Sequence, residues 1–256
     1  MNAEKKSKRH ERREKIKQQE QRNRLFTIGL IIAGAALLVF AFVWPSIRPV
    51  AQVVSVDAGT YPNANDNSIG DPNAPIVIEE FADFQCPFCE RFHEETEPLL
   101  RQYYVDTGKV RFVFRSMGNW VSGNIGAGRT ESQDAALAAY CAGEQNKFWE
   151  MQAHLFANVL GEDAGSFTDQ RIKAITERID GLEADQFNSC YDSGKYEDRV
   201  QQDFADGQAA GVNGTPGFII TYTVNGETRT RTIDGAQPFN VFQQELEAAL
   251  TEMGAQ

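Results

Sequence analysis

The stretch Phe81-Ala82-Asp83-Phe84-Gln85-Cys86-Pro87-Phe88-Cys89 places two cysteines, separated by two residues, where a strand pattern gives way to a helix pattern. The run 76–81 is typical of a buried strand, and Pro87 suits a first helical turn because its missing N–H costs nothing there. The unpaired N–H groups and partial positive charge of a helix N-terminus favour the thiolate of the first cysteine. Thiolate is the attacking species in disulfide exchange, so the stretch predicts a redox-active pair.

Two other interpretations of this cysteine pair stay open. A CxxC can form half of a zinc site, but Cys141 and Cys190 are isolated, and the sequence has no second CxxC and no H-x3–5-H spacing. The pair could also be a purely structural disulfide, although structural bridges usually close longer loops. The position at a strand–helix junction favours the redox interpretation.

Composition and charge exclude several classes of protein. The chain has 256 residues, of which 41% are hydrophobic and 24% charged, and this argues against a wholly disordered or polytopic membrane protein. Four cysteines are too few for a disulfide-dense small scaffold. The net charge of −11 argues against nucleic-acid binding, which needs a basic face.

The charge is divided sharply along the chain. Residues 1–24 carry about +6, and residues 25–256 carry about −17. The run 25–44 at this border is uncharged, and as a helix it would span about 30 Å, the hydrocarbon thickness of a bilayer. The positive-inside rule predicts a basic cytoplasmic tail, an uncleaved signal-anchor at 25–44 and everything after Trp44 outside. A cleaved signal peptide and a buried core helix are the alternatives.

Beyond the anchor, the sequence predicts a tether and one folded domain. Residues 45–75 are rich in Pro, Asn, Asp, Ser and Gly, and we expect an extracytoplasmic tether there, with at most a short strand at 50–56. The domain at 76–256 shows the order β-α-β, then a helical block at about 118–211, then β-β-α. Asn225-Gly226 is a strong hairpin-turn signal between the last two strands.

Two motifs together resemble a known family. The stretch 81–89 and the downstream run Gly211-Val212-Asn213-Gly214-Thr215-Pro216-Gly217-Phe218 look like those of the DsbA-like thiol-disulfide oxidoreductases of the thioredoxin superfamily. The resemblance covers about residues 70–253. It implies an α/β fold class, a thioredoxin fold with a helical domain inserted after its second strand, here preceded by a single N-terminal transmembrane helix.

The resemblance implies roles for individual residues. Cys86 is expected to be the exposed nucleophile and Cys89 the buried resolving thiol. Pro216 is expected to be a cis-proline that faces the disulfide, with Thr215 before it. Substrates of the family pair their backbone with this segment, which is a form of strand addition.

An acidic residue and a histidine near the pair are further candidates. Glu80 falls where the superfamily has a buried acid that assists proton transfer at the resolving cysteine, and burial would raise the pKa of that carboxyl. Its neighbour Glu79 takes this place if the strand register differs by one residue. His93 lies about two helical turns beyond Cys86; a surface histidine is the simpler interpretation, and a titrating partner of the site is the alternative.

Two departures from the family pattern matter. Pro87-Phe88 stands between the cysteines where the most oxidising members have Pro-His, whose histidine helps to stabilise the thiolate. Phe88 cannot donate a side-chain hydrogen bond, so we expect Cys86 to be less acidic and the site less strongly oxidising. Pro87, Phe88 and Thr215 are assigned to substrate binding. Gly217 follows the cis-proline where a larger residue is common, which predicts a roomier groove rim.

Cys141 and Cys190 both fall in the predicted helical block. Thiols tend to pair in an oxidising compartment, the cysteine count is even once the active pair is set aside, and some family members carry an extra bridge in the inserted domain. We therefore expect a structural disulfide between them. Two separate buried thiols are the alternative.

The implied function is that of an enzyme, a thiol-disulfide oxidoreductase. It would donate its Cys86–Cys89 disulfide to reduced or misoxidised proteins outside the cytoplasm, most simply as an oxidase, and a membrane quinone reductase of the DsbB or VKOR type would reoxidise it. No cofactor other than this disulfide, no metal and no nucleic acid is expected. A reductase or isomerase with the same site is one alternative. A non-catalytic anchored chaperone is another, although the presence of both cysteines with Pro216 argues against it.

Overall fold

The computed structural model describes residues 2–47, 51–61 and 63–254, and the chain divides into two compact units, Met1–Pro49 and Val50–Gln256. The first unit is one helix, α1 (Asn2–Ile47). Its segment 19–43 contains an 18-residue window with a mean hydropathy of 2.6, none of which is buried, so by length and composition it could cross a membrane. A signal sequence has the same properties. The helix continues past the predicted anchor end at residue 44.

A five-stranded mixed sheet forms the centre of the second unit. In chain order its strands are β1 (Ser68–Ile69), β2 (Ile76–Ala82), β3 (Val110–Ser116), β4 (Gly217–Val224) and β5 (Glu227–Asp234). The spatial order is β1-β3-β2-β4-β5, with β2 and β3 parallel and the other pairs antiparallel. Strand β2 is therefore central, and its C-terminal end lies between the ends of two neighbouring strands.

The helices of this unit fall into a crossover, an inserted block and a final helix. They are α2 (Pro87–Glu95), α3 (Glu97–Leu100), a π-helical turn (Arg101–Val105), α4 (Trp120–Ile125), α5 (Glu131–Gly143), α6 (Phe148–Ala157), α7 (Asp169–Thr176), α8 (Ala184–Asp192), α9 (Glu197–Ala209) and α10 (Phe239–Glu252). The crossover joins β2 to β3, and α4–α9 lie between β3 and β4. The predicted thioredoxin fold with an inserted helical domain is confirmed. The short elements β1 and α4 were not predicted.

Aromatic packing fixes α2 against the sheet. The ring of Phe92 on α2 lies 4.6 Å from that of Phe218 on β4 and 5.5 Å from that of Phe242 on α10. All three side chains are fully buried. Burying a phenylalanine stabilises a fold by roughly 1.5–3 kcal/mol, so this cluster holds α2, and the cysteines at its start, in one position on the sheet.

An ion cluster joins the inserted block to the sheet. Arg115 on β3 contacts Glu79 on β2 at 2.9 Å and Asp203 on α9 at 2.5 Å, and it also pairs with Asp206. The hydroxyl of Tyr140 on α5 donates to the same Asp203. The planar guanidinium can serve several carboxylates at once, so one arginine ties β2, β3 and α9 together.

The described residues 51–61, which precede β1, belong to the second unit, and the predicted boundary between a tether and the domain at residue 75 is therefore wrong. The side-chain amide of Asn158, the C-cap residue of α6, donates to the Val54 carbonyl at 3.0 Å and accepts from the Val54 N–H at 2.9 Å. The Nη1 of Arg171 donates to the Ala51 carbonyl at 2.7 Å. Polar side chains of the helical block thus form hydrogen bonds with backbone groups of this segment. Residues 51–61 form no strand, and Val50 and Pro62 lie outside the described residues.

Cys141 on α5 and Cys190 on α8 form a disulfide in the structure, the pairing that the family resemblance implied. Their Cα atoms are 5.7 Å apart, and 1% and 6% of the two residues is exposed. The bridge links two helices of the inserted block over a sequence separation of 49 residues.

We predict that replacing both residues, Cys141→Ala with Cys190→Ala, lowers the free energy of unfolding by up to about 4 kcal/mol, because a loop of this length is no longer closed in the unfolded chain. Urea unfolding of the full chain in detergent micelles measures the loss. The double variant Cys86→Ala with Cys89→Ala is the control, since it leaves this loop closed. Alkylation of both Cys141 and Cys190 in the native, non-reduced protein would contradict the pairing.

Candidate active site

The two cysteines of the CxxC lie where β2 ends and α2 begins. Cys86 occupies the N-cap of α2, and its sulfur lies 3.3 Å from the carbonyl oxygen of Thr215. Both cysteines are free thiols in the structure. Cys86 was expected to be exposed, but only 5% of it is, because the Thr215 segment lies against its sulfur. Cys89 is fully buried.

The electrostatic environment gives the two thiols different pKa values. A hydrogen bond from the Cys89 side chain lowers the pKa of Cys86 to about 6, against the opposing effect of burial, and hydrogen bonds from Thr215 and from the backbone N–H groups of Cys89 and Phe88 add to the lowering. Burial raises the pKa of Cys89 well above its ordinary value. Near neutral pH Cys86 is therefore a thiolate, and Cys89 holds its proton.

The segment opposite the cysteines has the shape that the resemblance implied. The Thr215–Pro216 peptide bond is cis, Pro216 is buried and Thr215 is half-buried. The Pro216 carbonyl accepts from the Gly235 N–H at 2.8 Å, which attaches the segment to the end of β5. A cavity of about 270 Å³ lies beside it, lined by Gly211, Asn213, Gly214, Thr215, Pro216, Asp234 and Gly235.

The residues between the cysteines face outward. Pro87 is exposed, and 54% of Phe88 is exposed. The Arg91 guanidinium lies 5.2 Å from the centre of the Phe88 ring, a distance typical of a cation–π contact. Phe88, two residues after Cys86, therefore presents an exposed aromatic surface next to Arg91.

Gly217 does not make the groove roomier, and that prediction is wrong. The residue is buried, and a Cβ placed on it would lie 2.6 Å from Cγ1 of Val212. The absence of a side chain lets the start of β4 pack against Val212, so Val212 occupies the space that a side chain at position 217 would take.

Glu80 is the acid that faces the cysteines. Only 1% of it is exposed, and its Oε2 has no hydrogen-bond partner among the described residues. Burial raises the pKa of Glu80 well above its ordinary value, and the neighbouring charges of Glu97 and Cys86 raise it further. Glu79 points to the other face of β2 and binds Arg115 at 2.9 Å, so the alternation of side chains along the strand assigns the inward position to Glu80.

Two polar residues of the active-site loop were not singled out from the sequence. The Asp83 carboxylate accepts from the N–H of Gln85 at 2.8 Å and from the N–H of Val121 at 2.9 Å. The buried Gln85 amide donates to Ser122 at 2.6 Å and to Ser132 at 3.0 Å. These bonds attach the loop before Cys86 to α4 and α5. An aspartate that bonds the N–H two residues on is a readable local signal, whereas the two serines lie far along the chain.

Asp83 is also placed to titrate near neutral pH. Burial raises the pKa of this carboxyl to about 6, although its two backbone hydrogen bonds oppose the change. The backbone carbonyl of Asp83 accepts from the N–H of Cys86 at 3.0 Å.

His93 is not a surface histidine, contrary to the simpler interpretation of the sequence. Only 17% of its side chain is exposed, and its Nδ1 lies 2.8 Å from Oε2 of the buried Glu97 on α3. Its ring stacks on Phe156 of α6 with the centres 5.0 Å apart. His93 therefore connects the crossover, to which it belongs, with the inserted block.

Comparison with known proteins agrees with this architecture. Residues 63–236 match the family model described as Thioredoxin, and the chain belongs to that family. Within the superfamily its inserted helical domain makes it DsbA-like. The oxidised BdbD of Bacillus subtilis has the same fold, with a TM-score of 0.61 and 19% identity over 78% of this chain and 100% of BdbD. The α-DsbA1 of Wolbachia pipientis gives a TM-score of 0.59 and 24% identity over 75% and 94% of the two chains.

Curated relatives are of two kinds. The probable disulfide bond formation protein D of Bacillus anthracis is 24% identical over 77% of this chain and 88% of its own length. The Na(+)/H(+) antiporter NhaA 3 of Salinispora tropica is 32% identical over 60% of this chain, but the match covers only 21% of that antiporter. A similar match covers 29% of the Na(+)/H(+) antiporter NhaA 1 of Salinispora arenicola. The chain thus spans between a fifth and a third of these antiporters.

We predict that iodoacetamide alkylates Cys86 of the reduced full chain with a rate that rises with pH and is half-maximal near pH 6, because only the thiolate reacts. Cys89 should stay unmodified over the same range. Mass spectrometry of quenched samples measures both sites, and Cys86→Ala should remove the fast reaction. A midpoint near 8.5, the value of a free thiol, would contradict the hydrogen bonding described for this sulfur.

Proposed function

We propose that this protein is a membrane-anchored thiol-disulfide oxidoreductase that exchanges its Cys86–Cys89 disulfide with the thiols of extracytoplasmic proteins, and that it acts as an oxidase. One observation carries the proposal. An acidified Cys86 lies at a helix N-terminus opposite a cis-proline segment, and a buried Cys89 that retains its proton lies one turn further along α2. This is the arrangement that disulfide exchange requires.

The chemistry follows from the positions of the sulfurs. A substrate thiolate attacks Cys86 in the disulfide form, a substrate–Cys86 bond forms, and Cys89 leaves as a thiolate. Glu80 is the nearby acid that can donate a proton to it, since its own pKa is raised by burial. A second substrate thiolate then attacks the substrate sulfur of the mixed disulfide and releases Cys86. The substrate is oxidised by two electrons and the protein is reduced by two.

The proposed direction rests on the stability of the reduced protein. A disulfide is a stronger oxidant when its reduced form is stabilised, and the hydrogen bonds to Cys86 stabilise the thiolate of that form. Phe88 contributes no side-chain hydrogen bond, because phenylalanine has no donor group, and its ring faces Arg91 and solvent. We therefore expect an oxidant weaker than the family members that carry histidine at this position.

The proposed location and partners rest on the first unit and on the family. The uncharged run that begins at Leu25 follows the basic tail 1–24, and this supports a single-pass anchor with a cytoplasmic N-terminus and an extracytoplasmic second unit. Substrates would be reduced or misoxidised proteins outside the cytoplasm. A membrane quinone reductase of the DsbB or VKOR type would restore the Cys86–Cys89 disulfide.

We predict that the full-length Cys89→Ala variant accumulates mixed disulfides through Cys86 when it is expressed in its membrane, because no resolving thiol remains. Cys86→Ala should form none, since Cys89 is buried. Non-reducing gels followed by peptide mapping identify the adducts. Adducts on Cys86→Ala but not on Cys89→Ala would reverse the two roles, and their absence from both variants would favour a non-catalytic binding protein.

We predict a reduction potential between those of DsbA and thioredoxin, about −120 and −270 mV. Equilibration of the full chain in detergent with glutathione buffers measures it. Phe88→His should shift the potential towards DsbA by about 30 mV or more, which corresponds to a tenfold change in the equilibrium constant, and Phe88→Leu should leave it nearly unchanged. A potential at or below that of thioredoxin would favour a reductase over the proposed oxidase.

A further inference from the structure

The buried resolving cysteine raises a question that the proposed function leaves open. Cys89 is fully buried and only 1% of Glu80 is exposed, so neither has direct access to water. In the proposed exchange, Cys89 gains a proton whenever the disulfide opens and loses it whenever the disulfide re-forms. If Glu80 supplies that proton, Glu80 itself must be reprotonated across a dry interior.

A second pair of titratable groups, Glu97 and His93, interacts electrostatically with Glu80 through Glu97. Glu97, at the first position of α3, is 2% exposed, and its Oε2 lies 2.8 Å from Nδ1 of His93. His93 retains 17% of its side-chain exposure. The pair therefore has one end in the interior and the other at the surface.

A series of contacting aromatic rings connects the surroundings of His93 with those of Glu80. In the sheet, Glu80 is aligned with Phe114 of β3. The Phe84 ring lies 5.0 Å from that of Phe114 and 5.1 Å from that of Phe156, and Phe156 stacks on His93. Glu97 and Glu80 also interact electrostatically, as do Glu80 and Cys89. His93 therefore binds an acid that acts electrostatically on Glu80, and Glu80 acts electrostatically on Cys89.

We propose that Glu97 and His93 form a proton relay between solvent and Glu80, and that this relay serves the buried Cys89. The inference rests on the proposed disulfide exchange. Neither residue touches the reacting sulfurs, and both act through Glu80.

The proton balance is complete without any further reactant. When the disulfide opens, the Cys89 thiolate takes the proton of Glu80. The Glu80 carboxylate takes a proton through Glu97 from protonated His93, and His93 takes one from water. When the disulfide re-forms, each transfer runs in reverse and one proton returns to water. The electrons move only between the sulfur atoms.

The charges around the relay favour its loaded state, in which His93 carries a proton, at neutral pH. Burial lowers the pKa of His93, but Glu97, and more weakly Glu94, outweigh it, so the net effect is a pKa above the ordinary 6.5. Arg101 of the π-helical turn opposes this rise. The other groups around the relay are Glu90 of α2 near His93, Phe156 of α6 against the His93 ring, Tyr61 near Glu97, and Cys86 and Cys89 near Glu80.

The test uses Glu97→Gln, which keeps an oxygen that can accept from His93 but has no titratable proton to pass on. Glu94→Gln is the matched control, since it removes one carboxylate from an exposed position of the neighbouring helix α2. Oxidised full chain in detergent is mixed with reduced glutathione, and acid-quenched samples are analysed for the Cys86 mixed disulfide from pH 5.5 to 9. The ratio of the variant rate to the wild-type rate cancels the titration of glutathione.

The expected ratio for Glu97→Gln is about 0.1 or less at pH 5.5, where His93 is protonated and the wild-type relay is loaded, since direct proton transfer contributes about 10²–10⁴-fold in rate. The ratio should rise towards 1 at pH 9, where the relay of the wild type is empty as well. For Glu94→Gln it should stay near 1 at both pH 5.5 and pH 9, because Glu94 only adds weakly to the pKa of His93 and carries no proton of the relay. A structural defect would lower the ratio equally at every pH.

A ratio for Glu97→Gln that does not change with pH would overturn the relay while leaving the exchange activity in place. If Glu97→Gln does not fold, His93→Gln is measured by the same criterion and decides the question in the same way. Alkylation of Cys86 in the reduced variants should match the wild type within about twofold, because the relay serves Cys89 only. If the wild type itself forms no mixed disulfide, the proposed function fails, and this result is distinct from failure of the relay.

Discussion

The contact between the sulfur of Cys86 and the carbonyl of Thr215 joins two parts of the chain that are 129 residues apart. The sheet makes this contact possible. Strands β2 and β4 are antiparallel, and their paired residues run from Ile76 opposite Tyr222 to Phe81 opposite Gly217. The end of β2 and the start of β4 therefore lie side by side at one edge of the sheet, the edge that the strand ends form. The cysteines follow the first of these strand ends, and the cis-proline precedes the second. Everything else in the second unit either supports this edge or leaves it accessible.

The inserted helical block supports the edge through polar contacts as well as packing. Asp83 and Gln85 bind the backbone of α4 and the side chains of two serines, and Arg115 joins the sheet to α9. Hydrogen bonds to buried charged groups are stronger than those between neutral groups, but each is costly if one partner is lost. The block therefore sets the position of the active-site loop, and it does so from residues between β3 and β4.

Burial raises the pKa of all three titratable groups of the site. This effect prevails at Glu80 and Cys89, whereas directed hydrogen bonds outweigh it at Cys86. An ionised carboxyl without a partner would be costly in this interior, so burial shifts Glu80 towards its protonated form. Cys86 and Cys89 lie within one turn of a helix, and Glu80 lies on the strand before it. Because their proton affinities differ so much, a thiolate and a proton donor can coexist in this site.

Much of the architecture could be predicted from local sequence patterns, because hydrophobic periodicity, the position of Pro87 and the Asn225-Gly226 turn act over a few residues. The alternation along β2 left the choice between Glu79 and Glu80 open, since a shift of one residue exchanges the two faces, and only the sheet register assigned the inward face to Glu80. The docking of residues 51–61, the packing around Gly217 and the burial of His93 against Glu97 and Phe156 depend on contacts between distant segments. Composition predicts a tether at 45–75, because a polar segment whose backbone groups are hydrogen-bonded has the same kind of sequence as a flexible one. Only the tertiary structure supplies the hydrogen-bond partners that distinguish the two.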